Sequence, residues 1–149
     1  MVGVRLSPER FGLVLNEVQT VAQQLMSTGQ IDFLDMSLWD VFKEPNEEAM
    51  KGRTLMSYFT ELERGEVRRG VAGKIRTPQE AEKALAAGAD WVMLGRAAIL
   101  HHDFPNLYLE DPNFKPVENP VPRSHLVDEG LSDKFITYMQ SWAGFVAKE

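Results

Sequence analysis

Gly70-Val71-Ala72-Gly73-Lys74-Ile75 and, further on, Trp91-Val92-Met93-Leu94-Gly95-Arg96 are the two stretches that decide the reading of this chain. Each is a short apolar run that ends on a glycine. The segment between them, from Thr77-Pro78-Gln79-Glu80-Ala81 to Ala87-Gly88-Ala89-Asp90, reads as one helix. Thr77 suits the N-cap, Pro78 the first helical position, and Glu80 completes a capping box. The whole is a strand, a glycine turn, a helix, a second strand and a Gly-Arg turn. Both turns then fall at the same end of two neighbouring parallel strands.

That arrangement matches the phosphate site of a (β/α)8 barrel, which the loops after strands seven and eight build. A phosphate needs converging N–H donors, and glycine lets the backbone approach without a Cβ in the way. Gly73 and Gly95 are placed for this, and Arg96 would add a fork of donors with a permanent charge. A strand-end glycine on its own marks only a tight turn. Two such turns, the Gly-Arg pair and the intervening helix together favour an anion site.

Working outward, the 149 residues fit one domain that buries roughly two thirds of its unfolded surface. Apolar residues make up 44% and charged ones 26%, the balance of a globular chain. A net charge of −6 argues against a general nucleic-acid binder. With no cysteine, thiolate catalysis, disulfides and cysteine-based zinc sites are excluded. No apolar stretch is long enough to span a membrane and no signal-peptide pattern opens the chain, so the expected compartment is the cytoplasm, without a membrane partner.

Val2-Gly3-Val4-Arg5-Leu6 reads as a strand, and Ser7 and Pro8 as the start of a helix. Phe11, Val14, Leu15, Val18, Val21, Ala22 and Leu25 supply its apolar stripe, and Gly29 its stop. Ile31 to Ser37 is the next strand, apolar enough for a parallel sheet covered on both faces. A long polar loop, 38–53, precedes a helix expected from about Thr54 to Arg64, stopped by Gly65. Strands near 69–72 and 90–94 complete four strands, each followed by a helix. A short helical piece over 97–101 ends this part, residues 1–102. Five prolines between 103 and 130 predict an irregular wrap there, and a helix from about Ser132 to Ala147 closes the same domain, with Trp142 on its packing face.

Four motifs in order now carry a family. Val2-Gly3-Val4-Arg5-Leu6-Ser7-Pro8, Val71-Ala72-Gly73-Lys74-Ile75, Ala86-Ala87-Gly88-Ala89-Asp90 and Leu94-Gly95-Arg96-Ala97 resemble the old yellow enzyme family of FMN-dependent NADH:flavin oxidoreductases. The resemblance runs from residue 2 to about 109. It implies an α/β fold comprising strands five to eight, the C-terminal half of a (β/α)8 TIM barrel. It implies hydride transfer from NADH or NADPH through FMN to an activated alkene or similar acceptor. Arg5, at the end of what would be strand five, resembles the arginine facing the pyrimidine edge of the flavin. Gly73 and Lys74, with Gly95 and Arg96, resemble the loops holding the FMN phosphate. Trp39 and Phe42 follow what would be strand six, where a loop can border the substrate pocket or simply pack on itself.

The departure from the family is the missing first half. Its strand-four His/Asn or His/His pair and its tyrosine proton donor have no counterpart here, so no catalytic residue is assigned. A four-strand half-barrel also leaves two unpaired edges and an uncovered interior face. A homodimer, a separate N-terminal half or a flattened sheet would each answer this. The alternative function is a non-catalytic half-barrel that dimerises and keeps at most an anion site. A third reading is a sugar-phosphate enzyme using the same turns. His101-His102-Asp103 finds no third metal ligand at suitable spacing and reads as a polar turn. Asp32 and Asp35 sit at odd spacing on one strand and make a poor acid/base pair.

Overall fold

Four short parallel strands lie in consecutive order: β1 (Gly3–Leu6), β2 (Phe33–Ser37), β3 (Arg68–Ala72) and β4 (Trp91–Met93). This arrangement comes from a computed structural model, which describes residues 1–148. Arg5 sits opposite Asp35, Asp35 opposite Gly70, and Gly70 opposite Trp91. Every strand is followed by helix, as parallel neighbours require. The helices are α1 (Leu15–Ser27), α2 (Ser57–Thr60), α3 (Pro78–Ala86) and α4 (Arg96–Leu100). The fold is therefore mixed α/β on a parallel four-strand sheet.

The chain packs as two compact units. The first comprises residues 1–75 and 80–94, the second residues 76–79 and everything from Gly95 onward. In the first, alternate sheet residues Leu34, Met36 and Val71 are buried together with Leu15, Val18 and Phe59 from the helices. The second unit holds α5 (Phe104–Glu110), α6 (Arg123–Asp128) and α7 (Asp133–Gln140). Its core gathers Leu100, Leu126, Ile136, Met139 and Phe145, with Trp142 partly buried against them.

Several boundaries differ from the sequence reading, each for a local reason. Helix α1 begins at Leu15 rather than after Ser7. Phe11 and Gly12 are both left-handed, with φ of 61° and 79°, which breaks the first turns. Glu9 is instead committed to the loop after β2, pairing with Lys43 and accepting from the Asn46 amide at 2.5 Å. The Leu15 amide donates to Glu47 Oε1 at 2.7 Å, so that loop caps the helix from outside. Phe11, read as part of the stripe, is 91% exposed.

Helix α2 is one turn, not three. The carbonyls of Phe59, Thr60 and Leu62 turn toward the buried guanidinium of Arg69 on β3, whose Nη1 donates to all three. Prolines 105 and 122 do not enforce an irregular wrap. Pro105 lies in the first turn of α5 and Pro122 is the N-cap of α6, positions where a missing N–H costs nothing. Helix α7 starts as read, with Ser132 accepting from the Phe135 amide. It stops at Gln140 because the chain beyond pairs with Val121: Val121 donates to the Phe145 carbonyl and Ala147 to the Val121 carbonyl.

Candidate functional site

The sheet of the first unit has one helix-covered face and one open face. Period-two alternation puts Gly3, Arg5, Phe33, Asp35, Gly70, Trp91 and Met93 on the open side. Two glycines there make room for rings. A Cβ on Gly3 would fall 2.0 Å from the Phe33 ring, and one on Gly70 would fall 2.2 Å from the Trp91 ring. Phe33 and Trp91 then meet edge to face, with centroids 5.6 Å apart.

Arg5 is anchored on this face, which exposed Arg68 at the head of β3 shares. The Arg5 Nη2 donates to Ser37 Oγ at 3.1 Å, and its Nη1 lies 3.2 Å from Asp35 Oδ2 and 3.9 Å from Met93 Sδ. About half of the arginine side chain stays exposed, while Asp35 is buried. Burial pushes the Asp35 carboxyl above its ordinary value, and the Arg5 charge pulls it part of the way back. Asp35 Oδ1 is buried with no hydrogen-bond partner among the described residues. Asp32 lies apart from this pair, close to the chain's amino end, where its Oδ2 accepts from the Val2 amide. The sequence reading found Arg5 but passed over Asp35 as its partner. The signal lay in register: both residues take the third position of adjacent parallel strands.

At the carboxyl end of β3, Gly73 meets the loop after β2. A Cβ on Gly73 would lie 2.8 Å from the Asp40 amide nitrogen and from the Trp39 carbonyl carbon. Its carbonyl accepts from the Val41 amide at 3.2 Å. Close backbone approach within the protein thus already explains the glycine. Lys74 is left-handed, with φ of 50°, and its ammonium pairs with Asp40 Oδ2 at 3.2 Å. Trp39 shares that unusual conformation, with φ of 63°, and is 60% exposed under the Arg10 guanidinium, 4.0 Å from its ring centroid. Phe42 packs within its surroundings, with Lys83 Nζ 4.3 Å above its ring.

Gly95 and Arg96 belong to the second unit and follow the last strand after Leu94. Gly95 is the N-cap of α4, a Cβ on it would meet only open space, and Arg96 is exposed. Of the two glycine turns, only this one has a glycine that its own packing does not explain.

All three histidines of the chain also belong to the second unit, and the structure brings a carboxylate to them that the sequence reading missed. Glu129, the residue that ends α6, accepts from the His102 amide at 2.7 Å and lies 2.8 Å from His102 Nδ1. That side-chain bond raises the His102 pKa. Burial alone would raise Glu129, but the His102 bonds outweigh it and hold the carboxyl low. His125 Nε2 is 2.8 Å from the Leu100 carbonyl, and buried His101 accepts from the Val117 amide through Nε2 at 2.9 Å, its pKa lowered by burial. Helix spacing could not reveal Glu129, because α4 and α6 meet only through tertiary packing.

No protein-family model matches the chain, and no curated protein matches it. Among solved structures it is similar to DHODH in complex with ferulenol from Eimeria tenella, at 18% identity and a TM-score of 0.47. The similarity covers 75% of this chain and 35% of that one, so the chain spans about a third of that protein's length. Among the described residues, no helix is long and apolar enough to cross a membrane.

Proposed function

We propose that this chain is the C-terminal half of an FMN-binding oxidoreductase of the old yellow enzyme type, its sheet being strands five to eight of a (β/α)8 barrel. The observation that carries the reading is Arg5. It is a half-exposed cation on the open sheet face near the carboxyl ends of parallel strands, held by Ser37 and Asp35. FMN, when bound, supplies hydride transfer. Arg5 would hold the pyrimidine edge and stabilise the negative charge that reduction places there. Gly95 and Arg96 suit the phosphate. Gly73 and Lys74 suit it less, because Gly73 packs on the Trp39–Asp40 backbone and Lys74 pairs with Asp40. NADH or NADPH would be the hydride donor, and a second copy or a separate N-terminal half would cover the open face.

A second reading has its own observation. Asp35 already offsets the charge of Arg5, and Asp40 that of Lys74, as expected of an empty scaffold that dimerises without turnover. Titration with FMN, followed by flavin fluorescence and with the mass checked by light scattering, separates the two. Saturable binding that Arg5→Ala and Arg96→Ala each weaken at least about tenfold supports the flavin reading. No binding at high micromolar FMN leaves the scaffold.

A further inference from the structure

Where α4 ends, His102 and Asp103 project beside Glu129 at the end of α6, all within the second unit. One nitrogen of His102 and one oxygen from each carboxylate lie within 4.8 Å of one another. Only one of the three groups comes from a distant part of the sequence, and it is the best anchored. The Glu129 side chain is only 14% exposed, and the His102 backbone amide holds its Oε2 at 2.7 Å. The His102 ring shares that oxygen, with Nδ1 at 2.8 Å. An ion between ring and carboxylate would take the place of the ring proton while the amide keeps the carboxylate oriented. Asp103 precedes α5 as its N-cap, yet its side chain makes no capping bond to that helix. An aspartate at this position ordinarily caps. His102 is two-thirds exposed and can swing without disturbing the core.

We propose that His102 Nδ1, Asp103 and Glu129 form a binding site for a divalent transition-metal ion, with Zn2+ as the natural probe. One imidazole and two carboxylates are a borderline-hard donor set that suits Zn2+ and leaves a position for water or an anionic ligand. The Zn–N and Zn–O bonds of about 2.0–2.2 Å require a modest rotation of the exposed side chains to close the site. His125 sits 4.0 Å from Glu129 Oε1, but its Nε2 faces the Leu100 carbonyl, so it supports the site rather than joining it. The proposal is independent of the flavin reading and is tested without flavin.

The experiment is calorimetric titration of the full chain, free of any affinity tag, with Zn2+. The expected result is one ion per chain at micromolar affinity, weakened about tenfold or more by His102→Ala and by Glu129→Gln. Should Glu129→Gln fail to fold, Asp103→Asn takes its place, and the histidine ring signals give a second readout. Zn2+ should shift His102 and leave His125 on the Leu100 carbonyl. Binding that is absent below about 100 μM, that persists unchanged in His102→Ala, or that shifts only the other histidines overturns the site.

Discussion

Leu34 and Phe33 are neighbours in sequence and belong to opposite worlds. Leu34 is wholly buried on the face that α1 and α2 cover, among Leu15, Phe59 and Val71. Phe33 stands on the open face, partly exposed, with one ring for company. The covered face is almost purely apolar, whereas the open face mixes rings, glycines and an arginine–aspartate pair. Both faces share one backbone, so the difference between them is side-chain chemistry alone. The covered face holds the core of the unit, and the open face carries its polar and aromatic groups.

The comparison can be pressed in four ways, beginning with the largest effect. Leu34→Ala should cost about 2–5 kcal/mol, read as a lowered urea midpoint, because it opens a cavity in a packed layer. Arg69→Met probes the one polar exception on the covered face. It strips three carbonyls at the end of α2 of their donor, and a loss of about 1–3 kcal/mol is expected in the same assay. Phe33→Ala should cost about 1 kcal/mol or less in the isolated chain, far below the 3–5 kcal/mol of a core phenylalanine. A larger loss that grows with protein concentration would reveal a second copy already seated on the open face.

The smallest effect is one of pH. Burial raises the folded-state pKa of Asp35 above its unfolded value of about 3.9, so the folded chain binds the proton more tightly. The Asp35 contribution to stability therefore falls as pH rises from about 4 through that raised pKa. In Asp35→Asn this decline should vanish from urea midpoints measured across the window. A wild-type-minus-variant difference that rises there would mean that the Arg5 pair outweighs burial.

The parallel order of strands and the four strand–helix alternations were legible because short apolar runs and glycine stops are local signals. Boundaries failed wherever a distant group intervened. The start of α1 depends on Glu47, and the length of α2 on Arg69, neither of which a window of neighbouring residues contains. Proline misled for a different reason, since the first helical turn tolerates it and composition does not reveal which turn it occupies. Among the site residues, Arg5 stood out by its motif. Asp35 needed strand register, and Glu129 needed the packing of two helices.

The turn at Gly73 constrains how this sequence can drift. Any side chain at position 73 collides with the backbone of Trp39 and Asp40, and Lys74 is tied to Asp40 by charge. A mutation at 73 becomes tolerable only after residues 39–40 have retreated, and their retreat would strand Lys74. Viable changes must then arrive in a set order, so these two segments are inherited as one block. The polar stretch beyond Phe42 carries a separate tie, since Lys43 and Asn46 hold Glu9 and Glu47 caps α1.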